Sequence, residues 1–203
     1  MIYLSGAILP RFIHPRLGWM VTPEMGNKLP DRGYFGIDNG CFSHPERFDR
    51  DRYADFVIKK IEEAPGRCLF ATAPDVMGDH LGTLRQFEAH AEQLSATGAP
   101  VALVGQPGLG VEDVPWRDVD ALFLGGGTAW RSGQEAHALA LEAQRRGLWV
   151  HMGMVNTTRR IKAAQSMGCD SVDGTFLKYG PDKLWPTLHH WLELTGKQPA
   201  LKI

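Results

Sequence analysis

Residues 100–104 read PVALV, residues 121–124 read ALFL and residues 148–152 read LWVHM. Each run is short and almost entirely apolar, which is typical of strands that are buried on both faces of a parallel sheet. Amphipathic helical patterns lie between such runs elsewhere in the chain, for example over residues 184–192. Alternation of buried strands with amphipathic helices predicts an α/β protein.

The same alternation continues on both sides of this stretch. Further strands are predicted at residues 34–37, 67–72 and 169–172, with another at 2–4 and a short one near 19–21. About eight strands predict a compact, single-domain (β/α)8 barrel of the TIM type over residues 1–203, with a doubly wound open sheet as the alternative. Residues 10–33, which are rich in Pro and Gly, are expected to form a long loop over one end of the barrel.

The composition narrows the class of protein. Apolar residues make up 43% of the 203 residues and charged residues 22%, which is typical of a soluble globular chain. No apolar run approaches the roughly 20 residues of a membrane helix, and the N-terminus lacks the pattern of a signal peptide, so a cytoplasmic protein without membrane contact is expected. The net charge of −1 creates no overall positive field for a nucleic acid.

The three cysteines, Cys41, Cys68 and Cys169, lie far apart and form no CxxC pair. Their odd number and their dispersion argue against a disulfide framework and against a zinc site built on cysteine. No cluster of histidine and cysteine has the spacing of metal ligands in the sequence. We therefore expect a protein without a metal or an organic cofactor.

Polar or glycine-rich residues follow nearly every predicted strand. Asp38, Asp75, Gln106 and Asp173 each lie just beyond the end of a predicted strand, and a run of three glycines occupies residues 125–127. In a (β/α) barrel the carboxyl ends of the strands meet at one mouth, where such enzymes keep their active sites. The sequence therefore predicts that these residues share one site.

Each of these elements also has a simpler interpretation. The triplet at residues 38–40, DNG, is a common turn, and residues 125–127 form either a phosphate-binding loop or a tight turn that lacks the spacing of a dinucleotide or P-loop motif. Asp170 fits a strand edge, His151 fits a packing role among apolar neighbours, and Met152 fits core filling. Their joint placement at strand ends is what indicates a site.

Six ordered motifs, IDNGCF, APDV, VGQPG, FLGGGT, VHMGMVN and GCDSVDG, run from about residue 34 to residue 175. In order and spacing this series resembles the barrel core of the tRNA-guanine transglycosylases. It is more similar still to their short relatives in phages and bacteria that insert 7-deazaguanines into DNA.

The resemblance implies roles for two carboxylates and two apolar side chains. Asp173 would be the nucleophile at C1′ of the sugar, and Asp38 would be a second carboxylate beside the sugar and the base. The flat base would lie between Phe42 and Met152. Displacing a base from C1′ passes through an oxocarbenium-like state, which a carboxylate stabilises and captures covalently.

The same resemblance implies how the edge of the base would be read. Asp75 would accept hydrogen bonds from N1 and from the exocyclic amine of a guanine-like base. Gln106 and the backbone N–H of Gly126 would bind the carbonyl at position 6, with Gly127 in the same loop. One carboxylate and one amide donor suit this pattern of donors and acceptors.

The chain departs from the tRNA enzymes in lacking their C-terminal zinc subdomain and their basic extensions. The resemblance therefore implies a pentosyltransferase that replaces guanine in DNA with a 7-deazaguanine, such as 7-cyano-7-deazaguanine, through a covalent sugar–enzyme intermediate. Arg131, Arg159, Arg160 and Lys178 are candidates for phosphate contacts, although a solvated helix face explains them equally well.

Three alternatives to this function remain at the level of the sequence. The same chemistry could act on tRNA or on a nucleoside, in place of DNA. The barrel could also be a base-binding module without catalytic activity. Finally, it could be an unrelated barrel enzyme that binds a phosphate at residues 125–127.

Overall fold

Eight parallel strands pair in chain order in the computed structural model of this protein, and the last strand pairs back with the first. The structure describes residues 1–26, 28–41, 46 and 48–195. The strands are β1 (Ile2–Ser5), β2 (Leu17–Val21), β3 (Phe35–Ile37), β4 (Cys68–Thr72), β5 (Val101–Gly105), β6 (Ala121–Leu124), β7 (Trp149–Met152) and β8 (Ser171–Gly174). This closed barrel confirms the predicted (β/α)8 fold and excludes the open sheet.

Helices connect most of the strands on the outside of the barrel. They are α1 (Arg50–Glu63), α2 (His80–Ala96), α3 (Thr128–Arg131), α4 (Gln134–Arg145), α5 (Thr158–Ser166) and α6 (Pro181–Thr195). Asp49, Asp79 and Thr157 begin α1, α2 and α5, because each side chain accepts a hydrogen bond from a backbone N–H of the first turn. None of the helices in the described part of the chain has the length and apolar character that crossing a bilayer requires.

Two predictions differ from the structure by more than a single residue. The stretch at residues 10–33 is not a single loop, because the fully buried strand β2 runs through its middle and pairs with both β1 and β3. The last strand was predicted at residues 169–172 but begins at Ser171, because the backbone N–H of Cys169 still bonds to the carbonyl of Ala164 in α5. Asp173 consequently lies within β8.

The barrel interior is filled by side chains from alternate strand positions. An apolar cluster from β1, β2 and β4–β6 occupies most of it, and its buried members are Leu4, Met20, Phe70, Ala102, Val104, Ala121 and Phe123. The strands β7 and β8 contribute His151, Ser171 and Asp173, which hydrogen-bond to one another. The interior is therefore apolar on one side and polar on the side of the last two strands.

Gly18 lets β2 and β3 approach closely. A Cβ atom at this position would lie 2.4 Å from the carbonyl oxygen of Tyr34 and 2.7 Å from Cδ2 of Leu4. That carbonyl accepts the backbone N–H of Trp19, so it cannot move without breaking the pairing of the two strands. A glycine inside a strand often marks such a close approach.

We expect Gly18→Ala to lower the free energy of unfolding by about 1–3 kcal/mol, the usual cost of overpacking a core. Gly26→Ala is the control, since a Cβ atom at Gly26 would meet no atom within 4 Å. Urea unfolding of both variants measures the difference. Equal stability of the two variants would show that β2 and β3 separate more easily than their pairing indicates.

Candidate active site

A cavity of about 340 Å³ opens at the carboxyl ends of the strands. Its lining includes Asp38, Asp75, Gln106 and Asp173, which the sequence predicted to share a site. Phe123, from the apolar filling of the barrel, contributes to the same lining. The volume lies in the range of small-molecule sites, and the position is where barrel enzymes bind their substrates.

Asp173 projects inward from β8 and is held at one of its two oxygens. Its Oδ1 lies 3.0 Å from Nε2 of His151 and accepts the backbone N–H of Met154 at 3.2 Å. No side chain or backbone group in the described part of the chain hydrogen-bonds to Oδ2. One carboxylate oxygen is therefore fixed by the protein while the other is available to a ligand.

His151 lies directly beneath this carboxylate and is fully buried. Its imidazole packs against Phe123, with ring centroids 4.5 Å apart, and against Phe70 at 4.8 Å. Its packing role was predicted, but its contact with Asp173 was missed. Side-chain alternation alone does not reveal it, because the contact depends on the pairing of His151 with Ser171 across the sheet, which places Asp173 two residues later on the same face.

Asp38 follows β3, is half-buried and lines the same cavity. The pKa of Asp38 is raised to about 6, chiefly by burial and to a smaller extent by the nearby charges of Asp173 and Asp75, while a 2.7 Å hydrogen bond from the backbone N–H of Gly40 opposes the shift. Near neutral pH this carboxyl group therefore exchanges a proton readily. That property suits a general acid and base.

Asp75 is held by two amide side chains. Its Oδ1 accepts Nδ2 of Asn39 at 3.1 Å, and its Oδ2 accepts Nε2 of Gln106 at 2.8 Å. Gln106 is fixed in turn, because its Oε1 accepts the backbone N–H of Gly78. Burial raises the pKa of Asp75, and the two amide bonds oppose that shift. A carboxylate has about four lone-pair sites, so Asp75 keeps acceptor capacity for a ligand.

Asn39 supports this arrangement and was not singled out by the sequence. Its buried Nδ2 also donates to the carbonyl of Ala73, and its Oδ1 accepts the backbone N–H of Cys41. The turn DNG thus has two functions. Asp38 faces the cavity, while Asn39 fastens the loop after β3 to the loop after β4.

Met152 was predicted to cover one face of a base, but it does not line the cavity. It is buried and packs in the outer core between the barrel and its helices. The reason is strand alternation, since His151 takes the inward position of β7. Met154 lines the cavity instead, is 46% exposed and has a left-handed backbone with φ of 58°. Phe42, which was predicted to cover the other face of the base, lies outside the described residues.

The glycine loop after β6 was also predicted differently. The backbone N–H groups of Gly125 and Gly126 both donate to the carbonyl of Gly105, so Gly126 does not offer its N–H to a ligand. Gly125 lines the cavity, whereas Gly127 is exposed and precedes α3. Because two of its amides are engaged, the loop does not form the phosphate cradle that was one alternative.

The four basic residues predicted near the mouth have different environments. Arg131 is buried and donates to the carbonyls of Gly125 and Gly126, so it supports the loop and is not accessible to a phosphate. Arg160 is half-buried and donates to the carbonyl of Met154 at 2.9 Å. Arg159 and Lys178 are exposed. Only these last three remain candidates for contacts with a phosphate backbone.

One group of possible metal ligands occurs among the described residues, away from this cavity, and consists of His14, His189 and Glu193. Ligand spacing along the chain does not indicate this group, because His14 is far from the other two residues. Nδ1 of His14 accepts the backbone N–H of Arg16, and Nε2 lies 2.9 Å from Glu193. This pattern places the proton of His14 on Nε2, where it donates to Glu193, so Nε2 is not free to bind a metal. The contact between the nearly buried side chain of His14 and the exposed Glu193 is therefore explained as a hydrogen bond.

No protein-family model and no curated protein sequence matches this chain. Among solved structures, a mandelate oxidase variant with benzoyl-formic acid aligns at 15% identity with a TM-score of 0.54, covering 89% of this chain and 64% of that one. A variant of methylaspartate ammonia lyase from Clostridium tetanomorphum aligns at 20% identity with a TM-score of 0.47, covering 84% and 45%. The chain thus spans less than two thirds of either protein, and the similarity to the oxidase shows a shared barrel fold.

We expect Asp38→Asn to raise the free energy of unfolding at pH 7 by about 1–3 kcal/mol, since one pKa unit corresponds to about 1.4 kcal/mol. The pKa of Asp38 is higher in the folded chain, at about 6, than its ordinary value of 3.8. Its contribution to stability is therefore fully present below pH 4 and is lost as the pH rises through 6. The variant has no ionisable group at this position, so its free energy of unfolding does not fall in this way as the pH rises.

Urea unfolding of the wild type and of Asp38→Asn between pH 4 and pH 7 measures the effect. Asp55→Asn, which removes an exposed carboxyl group of α1, is the control. Parallel profiles for the wild type and Asp38→Asn would contradict the raised pKa of Asp38.

Proposed function

We propose that this protein is a base-exchange transglycosylase that replaces guanine in DNA with a 7-deazaguanine, such as 7-cyano-7-deazaguanine. The observation that carries the proposal is the presence of three aspartates in one cavity, each in a different environment. Asp173 is fixed at one oxygen, Asp38 has a pKa near neutrality, and Asp75 is held by amides. Base exchange through a covalent intermediate needs a nucleophile, a proton carrier and a reader of the base.

In the first step, Oδ2 of Asp173 attacks C1′ of the nucleotide as the bond from C1′ to N9 breaks. The electron pair leaves with guanine, and protonated Asp38 transfers its proton to the departing base. The product is an ester between Asp173 and the sugar. The proton that Asp38 loses is the one that guanine gains, so guanine leaves as a neutral molecule and Asp38 becomes ionised.

In the second step, the incoming 7-deazaguanine uses N9 to attack C1′ from the side that guanine left. Ionised Asp38 takes the proton from N9, and the ester bond to Asp173 breaks with its electrons returning to the carboxylate. The two displacements restore the original configuration at C1′. Both carboxyl groups are regenerated, so the cycle needs no external acid or cofactor.

The base edge is recognised by the pair Asp75 and Gln106. The remaining lone pairs of Asp75 accept N1–H and the exocyclic amine, while the second N–H of the Gln106 amide donates to the carbonyl at position 6. Adenine presents the opposite pattern at these positions and is rejected. Phe123 and Met154 supply the apolar contacts that a flat ring prefers.

The charges around the cavity support a polymeric substrate. Four carboxylates line it, those of Glu24, Asp38, Asp75 and Asp173, and no lysine or arginine is among the described lining residues. Such a cavity accepts the base and the sugar but repels their phosphates. The phosphates then remain at the rim, where Arg159, Arg160 and Lys178 are found at the ends of the mouth loops.

The covalent step gives the most direct test of the roles of the two carboxylates. Wild-type protein mixed with guanine-containing DNA and then denatured should retain a nucleic-acid adduct, detected on a gel and by mass. We expect Asp173→Asn to abolish the adduct, because the attacking oxygen is lost. Asp38→Asn should slow turnover about 100-fold or more and still permit a trace of adduct.

Asp55→Asn is the control for loss of one carboxyl group and should behave as the wild type. A parallel reaction with tRNA decides between the two nucleic acids. An adduct that survives in Asp173→Asn and disappears in Asp38→Asn would reverse the two roles. Base exchange without any adduct would rule out the covalent mechanism.

Base recognition is tested by Asp75→Asn. The amide presents an N–H to donors on the base, so the affinity for 7-cyano-7-deazaguanine should fall by about 1–3 kcal/mol, the usual effect for a buried hydrogen bond to a charged group. Calorimetric titration measures the change. Asp173→Asn is the matched variant and should bind the base normally. Normal binding by Asp75→Asn would show that the base edge lies elsewhere.

A further inference from the structure

Four polar side chains form a continuous hydrogen-bonded chain inside the barrel and end at Asp173. Nε1 of Trp149 lies 2.8 Å from Oγ of Ser171, which lies 2.8 Å from Nδ1 of His151. Nε2 of His151 lies 3.0 Å from Oδ1 of Asp173. Ser171 and His151 are fully buried, so solvent cannot supply alternative partners for their polar atoms.

The positions of the protons follow from what each group is able to donate. An indole nitrogen only donates, so Ser171 accepts the hydrogen bond from Trp149. The hydroxyl of Ser171 must then place its own proton on a buried acceptor, and Nδ1 of His151 lies within reach. An unprotonated Nδ1 leaves the imidazole proton on Nε2, where it donates to Asp173.

We propose that His151 is a positioning residue, which Ser171 and Trp149 hold as the neutral tautomer protonated at Nε2 so that it fixes Asp173 for attack. The assignment of the tautomer does not depend on the proposed function. The effect of the tautomer on the attack by Asp173 does rest on that function. A charged imidazolium would leave the buried hydroxyl proton of Ser171 without an acceptor, which is costly. The contact between His151 and Asp173 is therefore a hydrogen bond between a neutral ring and a carboxylate, and not an ion pair.

This arrangement has two consequences for Asp173. Because the ring is neutral, it orients the carboxylate without cancelling its negative charge. Because Phe70 and Phe123 pack against the ring, it cannot turn away, and Oδ1 stays engaged. Oδ2 is then the oxygen that faces the sugar. A misplacement of about 1 Å at a reacting atom costs up to roughly 100-fold in rate, so this constraint has a measurable effect.

The tautomer is tested by nitrogen NMR of the full chain labelled at its histidines, with His151 assigned by comparison with His151→Phe. At pH 7 the expected result is a protonated Nε2 and an unprotonated Nδ1. In Ser171→Ala the donor to Nδ1 is lost, so the Nδ1 resonance should move. Protonation at Nδ1 in the wild type, whether alone or in an imidazolium, would overturn the proposal.

The positioning role is tested by comparing His151→Gln with His151→Phe. Glutamine carries an N–H that can replace the donor to Asp173, whereas phenylalanine keeps the ring and loses the donor. We expect His151→Phe to form the covalent adduct about 10- to 100-fold more slowly and His151→Gln to recover most of that loss. The affinity for 7-cyano-7-deazaguanine should be unchanged in both variants.

Equal rates for His151→Phe and the wild type, or equal losses in the two variants, would contradict a positioning role. A parallel loss of base affinity would show that His151 only supports the cavity. If the wild-type protein forms no adduct, the proposed covalent mechanism fails and the positioning role fails with it, whether or not base exchange is observed. The tautomer measurement still decides the structural half of the proposal in that case.

Discussion

The pairing of β8 with β1 is the constraint on which the rest of the structure depends. Residues Ser171–Gly174 lie in register with Ile2–Ser5, which closes the barrel and brings the two ends of the described chain together. Without this pairing, Asp173 would lie at an open edge, away from the loop that carries Asp38. Closure also buries the inward face of β7 and β8, so the polar side chains there must satisfy one another.

Acidic side chains lie close together in the cavity, so each of them needs stabilisation by groups in its own neighbourhood. Three aspartates in this confined space repel one another when they are ionised, and each has a different set of partners. Asp38 holds its proton to a higher pH, chiefly because burial disfavours its charged form and in addition because Asp173 and Asp75 repel that charge. Asp75 is stabilised by two amides, and Asp173 by an imidazole and a backbone N–H. These differences allow residues of one chemical type to take three separate roles.

Much of this arrangement could be predicted from the sequence, because it depends on strand order. The run ALFL was placed at its observed limits, and Asp38, Asp75, Gln106 and Asp173 were assigned to one mouth from their positions after buried runs. Barrel closure turns that sequence order into spatial proximity.

The rest depended on details that a one-dimensional pattern does not contain. Met154 lines the cavity and Met152 does not, because the side chain of Met152 lies on the outward side of β7. The left-handed backbone of Met154 is a second detail that the pattern does not contain. Arg131 looks like a surface residue, yet the short helix α3 turns it back onto the carbonyls of the glycine loop. The hydrogen bond from His151 to Asp173 needed the register of β7 against β8, which only the folded barrel provides.

The most direct measurement follows the base itself. DNA carrying labelled guanine is incubated with the wild-type protein and 7-cyano-7-deazaguanine, and both released guanine and incorporated deazaguanine are counted. Equal amounts of released guanine and incorporated deazaguanine are expected. When the deazaguanine is omitted, the released guanine should not exceed one equivalent of the protein. Release without incorporation, or no release from either DNA or tRNA, would contradict the proposed base exchange.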